Sequence, residues 1–212
     1  RQSAMIHIET VVVGPFGVNC FIVWAHPANA IVIDPGDDAK EIEAVLNTHA
    51  LTVGAYLLTH GHVDHVSALA GLHRSHPAPV AMAPQDQTWC FTETNRLLPF
   101  YTAPRKPDSA WIELTDGTAC GVPDLSAEVI ATPGHTPGSV CFLFRGEGVL
   151  FTGDTLFAGS AGRTDLSGGD GAALAASLTR LLRLPDSLTI YPGHGSFSTL
   201  ARERETNPFM RE

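Results

Sequence analysis

The chain has 212 residues, of which 44% are hydrophobic and 17% charged, as in a compact globular protein rather than a disordered one. Its net charge of −9 disfavours nucleic acid as a partner, because a phosphate backbone requires a basic surface. No stretch reaches the roughly 18 apolar residues of a membrane span, and the first ten residues lack the apolar segment of a secretory signal. We therefore expect a cytoplasmic protein with no membrane partner.

The cysteines also favour the cytoplasm. Cys20 and Cys141 lie in apolar, strand-like runs, where a thiol behaves as a small buried hydrophobe. The four cysteines are far apart and form no CxxC pair, and a disulfide framework is not expected in a domain of this size. A reducing compartment is predicted.

The first half of the chain reads as strands rich in Val and Ile, interrupted by helices. The segment Asp34-Pro35-Gly36 is a turn signal between them. Strands are predicted at 6–13, 19–24, 29–34, 53–58 and 80–83, and helices at 38–48 and 66–75, followed at 84–108 by a short helix and a long loop.

The second half repeats this pattern. Strands are predicted at 110–114, 126–131, 139–144, 148–152 and 188–191, and a helix at 170–183, with Asp170 as its N-cap. Two similar halves of strands and helices predict an α+β fold in which sheets pack together with helices outside. We treat residues 1–212 as a single domain and interpret residues 1–4, before Met5, as a cloning remnant.

The chemistry is concentrated in the run Thr59-His60-Gly61-His62-Val63-Asp64-His65, directly after an apolar strand. Two histidines at i and i+2 would face different sides of a helix, whereas an irregular loop can turn all four side chains inward. The alternative is an exposed polar loop with incidental histidines. Clustered imidazoles and carboxylates are the usual signature of a metal site, so we favour ligands.

Three more candidate ligands lie where strands are predicted to end. His135 follows Ala131-Thr132-Pro133-Gly134, Asp154 follows Phe151-Thr152-Gly153, and His194 follows Tyr191-Pro192-Gly193. Each alone would be interpreted as a turn residue. Beside the 59–65 run, each becomes a predicted metal ligand.

Together these motifs resemble the metallo-β-lactamase superfamily, over nearly the whole chain. The resemblance implies a four-layer αβ/βα sandwich of two mixed sheets with outer helices and a site at the sheet edges. It also implies two divalent metal ions, with zinc favoured and iron or manganese as alternatives. By this resemblance the first metal is held by His60, His62 and His135, the second by Asp64, His65 and His194, and Asp154 bridges them.

Within the superfamily, the sequence is most similar to short glyoxalase II-like proteins, also called hydroxyacylglutathione hydrolase-like. The similarity lies in 132–138 (TPGHTPG), 153–157 (GDTLF), 162–165 (GRTD) and the tail 204–209 (RETNPF). Two features depart from full-length glyoxalase II. Only 18 residues follow His194, so the C-terminal helical glutathione-binding domain is not expected, and Arg163-Thr164-Asp165 stands where that family has Lys and Tyr.

The predicted reaction is hydrolysis of S-D-lactoylglutathione or a related acyl thioester. A metal lowers the pKa of bound water to about 7, and the resulting hydroxide would attack the thioester carbonyl. Asp64 is the candidate catalytic group for proton transfer. Arg163 is a candidate contact for a substrate carboxylate, and a structural ion pair with Asp165 is the equal alternative.

Other functions remain open from the sequence. The main alternative is a persulfide dioxygenase of the same superfamily, in which one iron would use only His60, His135 and Asp154. Its last motif is Pro-Ala-His, whereas this chain has Pro192-Gly193-His194, which favours hydrolysis. A non-catalytic metal-binding module is disfavoured, because the ligand set leaves room for water between two metals. β-Lactamase activity stays open, and nuclease activity is disfavoured by the acidic charge. The sequence leaves the oligomeric state and the exact substrate open.

Overall fold

A computed structural model describes residues 6–211, so the interpretation of residues 1–4 lies outside the described residues. The first half forms a six-stranded mixed sheet in the order β1-β2-β3-β4-β5-β6. Strands β1 to β3 pair antiparallel and β3 to β6 pair parallel. The strands are β1 (His7–Val13), β2 (Val18–Trp24), β3 (Ala30–Ile33), β4 (Val53–Leu57), β5 (Val80–Met82) and β6 (Trp111–Glu113); the helices are α1 (Ala39–Thr48), α2 (Val63–Val66), α3 (Leu69–Ser75) and α4 (Pro84–Gln87).

The second half forms another six-stranded mixed sheet, in the order β14-β13-β10-β9-β8-β7. Strands β7 to β10 are antiparallel, β10 and β13 are parallel, and β11 and β12 form a separate small hairpin. The elements are β7 (Ala119–Val122), β8 (Leu125–Ala131), β9 (Val140–Phe144), β10 (Val149–Gly153), β11 (Leu156–Phe157), β12 (Ser160–Ala161), α5 (Gly171–Leu181), β13 (Thr189–Pro192), β14 (Ser198–Thr199), α6 (Leu200–Thr206) and a 3₁₀ helix (Pro208–Met210).

Strand β2 explains why the sheets stack as they do. Successive side chains of a strand point to opposite faces, and every residue of β2 is buried. Phe21 and Val23 enter the core between the two sheets, whereas Cys20, Ile22 and Trp24 pack toward the helices outside. A strand that is apolar on both faces requires a cover on each side, which the second sheet and the helices provide.

The helices complete four layers and confirm the predicted sandwich. Ile42 of α1 and Leu69 of α3 pack on the outer face of the first sheet. Leu174 and Leu178 of α5 do the same for the second sheet. Asp170 caps α5 as predicted, because its carboxylate accepts hydrogen bonds from two backbone N–H groups of the first turn.

The structure differs from the prediction in its short elements. The helix predicted over 66–75 is two helices, α2 and α3, because the chain turns at residues 67–68. The elements that the sequence pattern did not predict are β7, β11, β12, β14, α6 and the 3₁₀ helix. Segments of two to seven residues carry too few periods to show an amphipathic pattern, and their conformation depends on pairing with distant strands.

Two further expectations can be compared with the structure. Cys20 and Cys141 are fully buried, as predicted, and Cys90 and Cys120 are buried free thiols as well. Across residues 6–211, no helix combines the length and the apolar character that crossing a membrane would require.

Candidate metal centre

Seven predicted ligands meet at one edge of the two-sheet sandwich. The 59–65 run follows β4, Asp154 follows β10, and His194 follows β13, which is parallel to β10. His135 lies in the β8–β9 connection. Because β9 is antiparallel to β10, this connection reaches the edge at which β10 ends. The sheet topology therefore gathers side chains that are up to 134 residues apart, from His60 to His194.

The 59–65 run is not entirely the irregular loop that we predicted. His60 and Gly61 leave β4 without regular structure, but Asp64 and His65 lie in the single turn of α2, to which His62 is the N-cap. The His65 N–H donates to the His62 carbonyl at 3.0 Å. Asp64 and His65 of this turn lie with His194, whereas His60 and His62 lie with His135, so the run contributes to two groups of ligands.

The first group consists of His60, His62 and His135, whose ring nitrogens lie within 4.8 Å of one another. The His62 Nδ1 and His135 Nε2 atoms are 2.9 Å apart. Three imidazole nitrogens converging on one point form a donor set that borderline divalent metals prefer.

The second group consists of Asp64, His65 and His194, again within 4.8 Å. Asp154 lies between the groups. Its Oδ1 is 3.4 Å from His65 Nε2, and its Oδ2 is 3.4 Å from His194 Nε2 and 3.5 Å from His135 Nε2. One carboxylate thus faces ligands of both groups, as the bridging role predicted for Asp154 requires.

Asp34 orients the rings of His65 and His60 from the side that faces away from the centre, the first directly and the second through Thr59. Its Oδ2 lies 3.0 Å from His65 Nδ1 and accepts the Thr59 hydroxyl at 2.6 Å. Because that hydroxyl donates to Asp34, its oxygen is left to accept from His60 Nδ1 at 3.0 Å. In the neutral, metal-binding form of each histidine, the proton therefore lies on Nδ1 and the Nε2 lone pair points into the centre.

Two backbone carbonyls orient the remaining histidines of the second half. His135 Nδ1 donates to the Arg163 carbonyl at 2.8 Å, and His194 Nδ1 donates to the Phe16 carbonyl at 3.1 Å. In each ring Nε2 is the atom left facing the centre. His62 differs, since its Nδ1 faces His135.

The electrostatic environment of the first group keeps the His60 and His62 imidazoles neutral. Burial, followed by the neighbouring His65 and His135, lowers the pKa of His60 well below its usual range. Burial and His135 lower the pKa of His62 to about 4. A neutral imidazole is the form that binds a metal, so these residues are ready to act as ligands at neutral pH.

The second group attracts positive charge. Burial opposes protonation of His65, but the Asp154 and Asp64 carboxylates and the hydrogen bond to Asp34 raise its pKa to about 10. Burial acts against the charge of Asp154 as well, yet His65 and His194 hold the pKa of its carboxyl well below the usual value. A cation, whether a proton or a metal ion, is stabilised here.

Two buried atoms test whether a metal fits. Among residues 6–211, His60 Nε2 and Asp154 Oδ1 have no hydrogen-bond partner. A buried polar atom without a partner costs about 1–3 kcal/mol, and a bound cation would satisfy both atoms. The imidazole and carboxylate donors therefore fit divalent metals such as zinc, iron or manganese.

Sequence reasoning missed Asp86, which joins the two halves of the centre. This buried residue of α4 accepts from the Gly61 N–H at 2.8 Å, the Thr136 hydroxyl at 2.7 Å and the Gly138 N–H at 2.8 Å. Gly61 lies between two ligands, and Thr136 follows His135. The sequence did carry a signal for Asp86, because it is an acidic residue that comes shortly after a predicted buried strand at the edge where the ligands lie. Asp34 was interpreted as a turn residue alone, although it carries the same signal.

A cavity of about 670 Å³ opens beside the centre, and His62, Asp64 and His194 line it together with Arg163. The Arg163 guanidinium forms a bidentate pair with Asp165, at 2.7 and 2.8 Å, and both side chains are exposed. The structure thus contains the ion pair considered as the alternative role of Arg163, on a side chain that also faces the cavity.

Comparisons with known proteins agree with this architecture. The family model described as the metallo-beta-lactamase superfamily matches residues 13–194. Among curated relatives, "Hydroxyacylglutathione hydrolase GloC" of Haemophilus influenzae is 34% identical, covering 97% of this chain and 98% of its own. "Probable metallo-hydrolase YqgX" of Bacillus subtilis is 32% identical, with 93% and 94% covered.

Solved structures give the same fold. BLEG-1, a B3 metallo-beta-lactamase, superposes with a TM-score of 0.90 at 34% identity, covering 97% of this chain and all of its own. TTHA1623 in a di-iron-bound form gives 0.83 at 36% identity, covering 95% and 99%. ETHE1 from Myxococcus xanthus gives 0.76 at 27% identity, covering 95% and 83%.

Proposed function

This chain belongs to the metallo-beta-lactamase superfamily, and from that premise we propose that it is a dinuclear metal-dependent thioester hydrolase of the glyoxalase II type. The observation that carries the proposal is the position of Asp154 between two groups of three ligands each. Two relatives named as hydrolases over almost the full chain support a metal-dependent hydrolase, and the GloC relative suggests S-D-lactoylglutathione or a related acyl thioester as substrate.

His60, His62 and His135 would hold the first metal, Asp64, His65 and His194 the second, and Asp154 would contact both. Bound divalent cations supply hydroxide at neutral pH and polarise a carbonyl oxygen. Zinc is our preferred metal, and the di-iron form of TTHA1623 keeps iron as an alternative. The thiolate leaving group, with a thiol pKa of about 8.5, needs little assistance from an acid.

Asp64 is the residue we assign to proton transfer. Its carboxylate lines the cavity and is half-buried, so it faces both substrate and ligands. Asp64 Oδ2 lies 3.8 Å from His194 Nε2 and 4.0 Å from His65 Nε2, at the edge of the second group rather than at its centre. An acceptor at the edge can receive a proton from water and pass it to solvent.

Arg163 is the proposed contact for a carboxylate of the substrate. The Asp165 partner holds its guanidinium beside the cavity, where a planar fork can bind an anion. Arg163→Ala should raise KM for an anionic thioester several-fold while changing kcat little. Unchanged kinetics would mean that the pair with Asp165 is structural alone.

The first experiment compares three reactions of the metal-loaded protein: thioester hydrolysis with S-D-lactoylglutathione, oxygen uptake with glutathione persulfide, and cleavage of a cephalosporin. Hydrolysis of the thioester without oxygen uptake is expected. Oxygen uptake alone would contradict the proposal and favour the persulfide dioxygenase, with one iron on His60, His135 and Asp154. β-Lactam cleavage is the second candidate because of the similarity to BLEG-1, and its dominance would replace the thioester assignment.

A further inference from the structure

The cavity beside the metal centre has mainly apolar walls. Its volume of about 670 Å³ lies within the range of small-molecule sites. His62, Asp64 and His194 mark the end of the cavity at which the reaction would occur. The apolar side chains that line it are Phe16, Val63, Trp89, Leu97, Pro137 and Leu166.

Three of these side chains form an apolar rim, defined here as Phe16, Leu97 and Leu166. They are 41%, 46% and 41% exposed, so the rim faces water as well as the cavity. The Phe100 ring supports Phe16 edge-on, with centroids 5.3 Å apart. Exposed apolar side chains that line one cavity are typical of a ligand-binding site.

The rim is tied to the centre rather than separate from it. The Phe16 carbonyl accepts the hydrogen bond from His194 Nδ1, so the backbone that presents this ring also orients a predicted ligand. A slender chain lying on the rim would reach the centre through the cavity. A second protein copy would meet the rim but could not fill the space behind it.

Positive charge accompanies the apolar surface. Arg96 and Arg163 both line the cavity, and their side chains are 57% and 62% exposed. Arg96 is only loosely paired, with 3.7 Å between its Nη1 and Glu93 Oε2. The cavity therefore presents guanidinium groups next to apolar walls, which suits a ligand with an apolar arm and an anionic group.

We infer that the cavity selects thioesters whose acyl group is an apolar chain, and that the apolar rim binds this chain. The inference rests on the proposed thioester hydrolase function and narrows its substrate class. A lactoyl group is short and polar and would leave the rim in water. Each methylene that the rim covers should improve kcat/KM about fourfold, until the rim is filled.

The test uses acyl thioesters of one thiol, glutathione, carrying acetyl, butanoyl or hexanoyl groups. For the wild-type, metal-loaded protein, kcat/KM should rise at least tenfold from acetyl to hexanoyl. Phe16→Ser should reduce this ratio toward one, because the acyl chain then loses an apolar wall; the ratio is taken within each variant, so it does not depend on that variant's own acetyl rate. The matched control is Phe209→Ser, a similarly exposed ring (58%) that does not line the cavity, and it should keep the wild-type ratio. Thermal melts establish that both variants fold.

A flat dependence on chain length in the wild type, with measurable hydrolysis, would overturn the inference. So would a dimer in sedimentation that Phe16→Ser converts to monomer, since the rim would then be an interface between copies. If no thioester is cleaved, the proposed function fails. Binding of the apolar anion 8-anilinonaphthalene-1-sulfonate then tests separately whether the rim is an apolar binding site. Weaker binding to Phe16→Ser than to Phe209→Ser supports the rim as an apolar site, and equal binding refutes it.

Discussion

The first sheet supplies four of the seven candidate ligands from one run of seven residues after β4, whereas the second sheet supplies three from three separate connections. In the first half, buried carboxylates position the run. Asp34 holds His65 directly through Nδ1 and His60 through the Thr59 hydroxyl, and Asp86 accepts from the Gly61 N–H. A short run can be arranged by a few side chains because its members already share one backbone segment.

In the second half, the backbone itself does the positioning. Gly153 has φ +48°, and a Cβ there would lie 2.5 Å from Thr59 Oγ1, so only glycine lets β10 end this close to the run that follows β4. Gly134, before His135, has φ +140°, and a Cβ there would meet the backbone of Leu174. Ligands from distant segments therefore depend on close backbone approach in addition to side-chain support from Asp86, whereas the 59–65 run is positioned by buried carboxylates.

Removal of Asp154, the predicted bridging ligand, should weaken metal binding by both groups of ligands at once. Asp154→Ala should reduce thioester hydrolysis by at least about 100-fold and lower metal content below two per chain, because both groups lose a shared partner. Metal analysis and kinetics at saturating zinc measure this effect. The control is Asp108→Ala, an exposed carboxylate outside the centre. Two bound metals and full activity in Asp154→Ala would contradict the bridging role.

Gly153→Ala tests the backbone argument. The left-handed φ and the contact with Thr59 should together lower the free energy of unfolding by about 3 kcal/mol. Gly146→Ala is the matched control, since a Cβ at this β9–β10 turn meets nothing within 4 Å, and it should change stability by less than about 1 kcal/mol. Urea unfolding followed by fluorescence gives both values. Equal free energies of unfolding for the two variants would show that the close approach at Gly153 does not require glycine.

Asp86→Asn sharpens the comparison at the residue that contacts both halves. The Asp86 carboxylate accepts hydrogen bonds from Gly61, Thr136 and Gly138. An amide would direct its own N–H toward one of these donors, and that hydrogen bond would be lost. We expect metal affinity to fall by about 10- to 100-fold, as for other groups that support metal ligands. Competition with a chelator measures the affinity.

The control for this substitution is Gln85→Ala, an exposed neighbour on the same helix. An affinity for Asp86→Asn equal to that of the control would show that the loops hold their positions without this carboxylate.

The smallest effect is expected away from the ligand loops. Hydrogen bonds from Arg180 lower the pKa of Asp116. The folded pKa lies below the unfolded one, so this stabilisation is present above about pH 4 and is lost as the pH falls through the folded pKa. Because both side chains are more than 40% exposed, solvent screening limits it to under about 1 kcal/mol. Asp116→Asn should therefore destabilise slightly at pH 7 and not at pH 2. A loss of several kcal/mol at pH 7 would show that this exposed ion pair contributes more to the free energy of unfolding than solvent screening allows.

Much of the fold could be predicted from local pattern. The strands around Phe21 and Phe142 and the helix capped by Asp170 have clear periodicity or capping, and the structure places them within a few residues of the prediction. Elements such as β7 and β14 could not be predicted, because they are strands by virtue of their partners β8 and β13.

The sequence by itself determined which metal-ligating side chains are present: four in the run His60 to His65, and His135, Asp154 and His194 where predicted strands end. Only the tertiary structure shows how the fold produces the division into two groups that the resemblance implied. The turn of α2 assigns Asp64 and His65 to the second group, the parallel pairing of β10 with β13 brings Asp154 beside His194, and the packing of the sheets gives Asp34 and Asp86 their supporting contacts. The physical reason is that ligand type is a property of each side chain, whereas ligand geometry is a property of which strand ends are neighbours in space.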